Sequence, residues 1–125
     1  MKEYKDSYKL FTKELVRNVD YIHGLSDNTV EEITYYLRQK HFEKDKILFR
    51  AGDSIDSIYF ITNGSIKITV TINDTEVPLD TLYRGSSIGA NGVLGHYNYN
   101  FTARTVSKVT LLVLTKESIK TLINC

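Results

Sequence analysis

Side chains able to do chemistry are few in this sequence, and they are scattered. Ser86 and Ser87 sit in a glycine-rich stretch, but no Gly-x-Ser-x-Gly elbow surrounds them to raise a nucleophilic hydroxyl. The histidines, His23, His41 and His96, lie in separate segments with neither a His-x-His pair nor a His-Glu-x-x-His run, so no metal site is expected. Cys125 is the single cysteine, which excludes an internal disulfide and a cysteine cage for zinc. No catalytic constellation emerges, and a non-enzymatic chain is expected. What remains is the stretch Gly85-Ser86-Ser87-Ile88-Gly89-Ala90-Asn91-Gly92-Val93-Leu94. Its plainest reading is a set of strand-end turns that need positive φ, and Gly52 and Gly64 are structural turns of the same kind.

The elements that must carry this stretch fit one domain. The chain has 125 residues, 42% of them hydrophobic and 25% charged. That is enough to bury about two thirds of its surface around one core. A formal charge of +1 argues against a nucleic-acid or anionic-membrane surface. The longest apolar run, Leu111 to Leu114, falls far short of the ~20 residues that span a bilayer, so no direct membrane insertion is expected. Met1 to Asp6 lacks the apolar stretch of a signal peptide, and the expected location is cytoplasmic, either free or on the cytosolic face of a membrane protein.

Apolar periodicity changes along the chain. Tyr4, Tyr8, Phe11, Leu15 and Val19 recur every three or four residues and predict a helix; Gly24 breaks it. Ser26 is placed to cap a second helix carrying Val30, Ile33 and Leu37. From about Lys40 the period is two, with strands predicted around Ile47–Phe49, Ile58–Phe60, Ile66–Ile72, Val77–Leu82, Phe101–Val106 and Val109–Leu114. Asn73-Asp74 supplies a hairpin turn. Thr115 caps a last helix whose apolar face is Ile119, Leu122 and Ile123. The expected class is α+β: a jelly-roll-like antiparallel β-roll of about eight strands between N-terminal helices and a short C-terminal helix. Residues 1–25 would form a helical lead-in and 26–125 the β-roll domain.

Three stretches, in this order and spacing, resemble the cyclic nucleotide-binding domain family over about Leu15 to Leu122. They are Phe49-Arg50-Ala51-Gly52-Asp53, the run from Ile58 to Ile68 and the run from Gly85 to Leu94. The family includes protein kinase A regulatory subunits, the catabolite activator protein and cyclic nucleotide-gated channels. The resemblance implies that Gly85 and Gly89 form a turn leading into a short helix over Asn91 to Leu94, whose free N–H groups face a cyclic phosphate. It also implies a phosphate-binding arginine on the next strand and a ribose-binding glutamate after a Phe-Gly pair. Both are replaced. Ile88-Gly89-Ala90 stands where the family has Phe-Gly-Glu, and Tyr99 stands where the arginine would be, followed by Asn100. Arg104 aligns with a basic residue that is not the phosphate ligand; a register shift that turned it inward would spoil the alignment of Leu111 to Leu114. Tyr99 reads equally as a pocket plug and as a half-exposed strand aromatic.

Each lost charge-assisted hydrogen bond weakens a ligand by about ten- to a hundredfold. The pocket positions Gly85, Ile88, Gly89, Ala90, Asn91, Gly92, Tyr99, Asn100 and Thr102 are therefore expected to form a degenerate site. No cofactor is expected, and cyclic AMP or cyclic GMP would bind weakly or not at all. The family's lid helix would begin where this sequence ends, which implies a piece of a longer protein. Leu10 to Val19 resembles the lead-in of this domain in voltage-gated channels, and ether-à-go-go-type channels have homologous domains that lack the nucleotide contacts. The expected function is a regulatory module of a channel-like protein that contacts its parent through its helices. The alternatives are a working cyclic AMP or cyclic GMP receptor using Asn100, Thr102 or Arg104, and the sensor domain of a transcription regulator.

Overall fold

The computed structural model describes residues 27–90, 92–93, 95 and 97–123. The lead-in helix over 1–25, the Ser26 cap, Asn91, Leu94, His23, His96 and Cys125 lie outside them. Helix α1 (Asp27–Tyr36) precedes eight strands: β1 (Arg38–Phe42), β2 (Ile47–Phe49), β3 (Ser57–Asn63), β4 (Ile66–Ile72), β5 (Thr75–Leu82), β6 (Ser87–Ile88), β7 (Thr102–Thr105) and β8 (Val109–Thr115). Helix α2 (Lys116–Ile123) follows. No helix among the described residues is long and apolar enough to cross a membrane.

Two four-stranded antiparallel sheets form the roll, in the orders β1-β8-β3-β6 and β2-β7-β4-β5. Between them lies a core of Phe49, Ile61, Ile66, Ile68, Ile88, Tyr99, Ala103, Val109, Leu111 and Val113. The first sheet also has a buried outer face. Ile58, Phe60, Leu112 and Leu114 pack there with Ile33 and Leu37 from the α1 side and Ile119 from α2. This explains why Leu111 to Leu114 and Ile58 to Ile61 are apolar without interruption: both faces of β8 and β3 are covered. The second sheet has one covered face, and there the period of two is visible. Lys67 and Arg104 oppose each other, while Ile66 and Ile68 point inward against Thr105 and Ala103.

That alternation holds for only half of β4. Ile72, expected inside with Ile66, Ile68 and Val70, is 54% exposed. The β4–β5 register shifts between Ile68 and Thr69, and beyond that bulge the hairpin leaves the roll. The turn at its tip is built as expected, since Asn73 (φ 50°) and Asp74 (φ 65°) both take the left-handed conformation that a tight hairpin demands. Strand β1, Arg-Gln-Lys-His-Phe, has no apolar alternation because it is an exposed edge strand held by its ladder to β8.

Short polar contacts fix the ends. Ser118 N–H donates to Thr115 Oγ1 at 3.2 Å, so Thr115 caps α2. The buried Thr105 hydroxyl donates to the Glu43 carbonyl at 2.7 Å and accepts from Lys46 N–H at 2.8 Å, pinning the β1–β2 turn. Gly64 (φ 87°) lies against the chain leading into β8, where a Cβ would collide with the Lys108 carbonyl oxygen.

Candidate functional site

The glycine-rich stretch begins at a β5–β6 turn. Gly85 donates its N–H to the Ile61 carbonyl at 2.9 Å, and β6 then pairs Ile88 with Tyr59. Ile88 points into the core. The chain turns at Gly89 (φ 96°), where a Cβ would sit 2.6 Å from the Ser57 carbonyl oxygen and 3.4 Å from the Tyr99 hydroxyl. Glycine is required here by both conformation and space. Gly92 N–H reaches the Gly89 carbonyl and Gly95 N–H the Gly92 carbonyl, each at 3.2 Å. The short helix expected over 91–94 is thus, in its described residues, a succession of three-residue turns.

The other wall comes from far along the chain. Ser54 bridges Asn98, Gly52 N–H donates to the Tyr99 carbonyl at 2.8 Å and Tyr99 N–H to the Asp53 carbonyl at 2.8 Å. This pairing holds Tyr99 opposite Gly89. A cavity of about 370 Å³ opens beside them, lined by Ile55, Ser87, Gly89, Ala90, Gly92, Asn98, Tyr99, Asn100 and Phe101. Among the described residues, no ionisable acid or base lines it apart from the Tyr99 phenol. Of the positions expected at a pocket, Gly89, Ala90, Gly92, Tyr99 and Asn100 meet here. Gly85 is at the far turn, Ile88 lies in the core, and the Thr102 hydroxyl accepts a hydrogen bond from Ala51 N–H at 3.1 Å. Ile55, Asn98 and Phe101 carry no local signal in the sequence, since only the pairing of two distant loops brings them together.

Tyr99 is the central side chain. It is 5% exposed and stacks on Phe49 with ring centroids 3.5 Å apart and planes 9° from parallel, with Phe101 tilted beside it at 5.9 Å. The half-exposed alternative is excluded. Its hydroxyl is buried without a hydrogen-bond partner, and burial, reinforced by Tyr59 and the Asp56 and Asp53 carboxylates, holds its pKa well above the ordinary 10.0. Burial and then Asp56 raise Tyr59 as well.

Arg104 faces the other way. Its guanidinium meets Glu76 Oε2 at 3.3 Å on the outer face of the second sheet, and Thr69 donates to Glu76 Oε1 at 2.8 Å. The Thr69 hydroxyl, and then Arg104, hold the Glu76 carboxyl below its usual range. Arg104 cannot reach the cavity without breaking the β4–β7 register. His41 is likewise on a strand edge, with Nδ1 3.1 Å from Thr110 Oγ1.

Residues 39–124 match the family model of the cyclic nucleotide-binding domain. The chain is 26% identical over 119 residues to the potassium channel KAT1 of Oryza sativa subsp. japonica, covering 94% of this chain and 16% of that protein. It therefore spans about one sixth of that relative's length. Among solved structures, the regulatory domain of Toxoplasma gondii PKA with cAMP has a TM-score of 0.77 at 17% identity, covering 92% of this chain and 44% of that one. The N-terminal domain of a transcriptional regulator from Streptomyces coelicolor A3(2) has a TM-score of 0.74 at 22% identity, covering 88% and 79%.

Proposed function

The chain belongs to the cyclic nucleotide-binding domain family, and from that membership we propose that it is a non-enzymatic regulatory module whose nucleotide site is degenerate. Residues 26–125 form the module and 1–25 its lead-in, as the cytosolic part of a longer, channel-like protein that the module contacts through its helices. The observation that carries this reading is Tyr99. The position of the phosphate arginine is taken by a ring packed into the roll against Phe49 and facing Gly89. Ala90, in place of the ribose-binding glutamate, lines the same cavity without a charge. A cyclic phosphate entering there would lose two charge-assisted contacts and would approach a hydroxyl on which the Asp53 and Asp56 carboxylates already act. The likeness to KAT1 supports the channel setting.

One observation favours a working receptor: the Gly89–Gly92 turn is retained and opens on a cavity of about 370 Å³. Titrating cyclic AMP and cyclic GMP into ¹⁵N-labelled protein separates the two readings. The degenerate site predicts no saturable shifts at micromolar ligand, whereas saturable shifts of the amides from Gly89 to Asn100 at that concentration would overturn it.

A further inference from the structure

A second cavity, of about 290 Å³, lies against Tyr99, and its lining has a different chemistry. Three aromatic rings, Phe49, Tyr59 and Tyr99, meet two carboxylates, Asp53 and Asp56, there. Phe49 lies between the others in near-parallel geometry, stacked on Tyr99 and 6.3 Å from Tyr59 with planes 23° apart. Asp53 Oδ2 accepts from Arg50 N–H at 2.9 Å, and among the described residues neither aspartate joins an ion pair. Among the described residues, the Tyr99 hydroxyl is the buried side-chain polar atom without a partner. Tyr99 lines this cavity, while its hydroxyl lies on the side of Gly89.

Aromatic faces and carboxylates attract the same species, a positive charge. A hard metal ion asks for six or more oxygen ligands. Two carboxylates and two phenols fall short of that, and the rings offer apolar surface instead. We propose that this cavity binds an alkylammonium group, its methylenes against the aromatic rings and its N–H groups donated to Asp53 and Asp56. The chemistry is the same whether the group belongs to a free amine or to a lysine side chain of a partner. This site goes beyond the degenerate nucleotide pocket and does not depend on it.

The test is titration of the ¹⁵N-labelled 125-residue chain with n-butylammonium chloride, against sodium chloride and sodium butyrate at equal ionic strength. Saturable shifts at the amides of Asp53 to Tyr59 and of Tyr99 are expected with butylammonium alone. Asp56→Asn, on an exposed side chain that leaves folding intact, is expected to weaken binding about tenfold through loss of a charge-assisted bond. Asp53→Asn is the second variant. Shifts no larger than those with sodium chloride, or an affinity unmoved by either variant, would overturn the proposal. A lysine-containing tripeptide with blocked ends distinguishes the sources. Tighter binding than butylammonium assigns the site to a partner's lysine, and equal or weaker binding assigns it to a free amine. Cyclic AMP added to a parallel sample keeps the two readings apart, because saturable nucleotide binding would overturn the degenerate-site reading and leave the ammonium site standing.

Discussion

At the scale of single residues, Tyr99 stands at the centre of the candidate site. Its ring is stacked on Phe49 with the hydroxyl near Gly89, beside the cavity of about 370 Å³. Its hydroxyl is the cost of using tyrosine, since it is buried without a partner. Tyr99→Phe removes that group and keeps the stack, so stability should rise by about 1 kcal/mol and Tm by about 4 °C in thermal denaturation. A loss of stability would show that the hydroxyl has a partner in solution. The same burial makes the fold sensitive to alkali. Tyr99 and Tyr59 keep their protons in the folded state above the ordinary 10.0, so their contribution is fully present below that pH. It is lost as pH rises from there toward the raised folded values, because the unfolded chain ionises first. Urea denaturation at pH 8, 10 and 11 should show a declining stability, with a shallower decline in Tyr99→Phe.

At the scale of elements, the local signals are those that involve few neighbours. Asn73-Asp74 makes its hairpin turn because both residues tolerate positive φ, a property each carries by itself. Thr115 caps α2 across three residues of chain. Thr115→Ala should therefore cost about 1 kcal/mol in chemical denaturation. Thr115→Ser should restore most of it, because serine offers the same acceptor. Features that depend on a partner strand have no such local signal. Strand β1 has no apolar period of its own, being an exposed edge held by β8. The exposure of Ile72 goes with a bulge at Leu79 in the neighbouring strand β5, which no alternation within β4 encodes. Arg104 likewise shows its role through β4 and β5, where Lys67 opposes it and Glu76 pairs with it.

At the scale of the whole molecule, β8 carries the architecture, because Leu111 and Val113 belong to the core between the sheets while Leu112 and Leu114 belong to the core beneath the helices. Leu112→Ala should cost about 2–5 kcal/mol, a cavity effect expected to loosen the helices as well as the roll. Hydrogen exchange should be slowest in β3 and β8 and fastest at the Ile72–Thr75 end of the hairpin, where the side chains are exposed. Equal protection throughout would sink this picture. The sequence by itself determined the class of fold, the turns, the cap and the replacement of two charged positions by Ala90 and Tyr99, because these rest on periodicity, backbone preference and residue type along one stretch of chain. The tertiary structure alone decided that Tyr99 is buried against Phe49, that Arg104 faces outward, and that Asp53 and Asp56 share a cavity with three rings. Those outcomes depend on which side of a strand faces which neighbour, and on the pairing of residues 52–55 with 97–99 across more than forty residues of intervening chain. A linear sequence sets the spacing of such residues, while their meeting is set by the packing of two sheets.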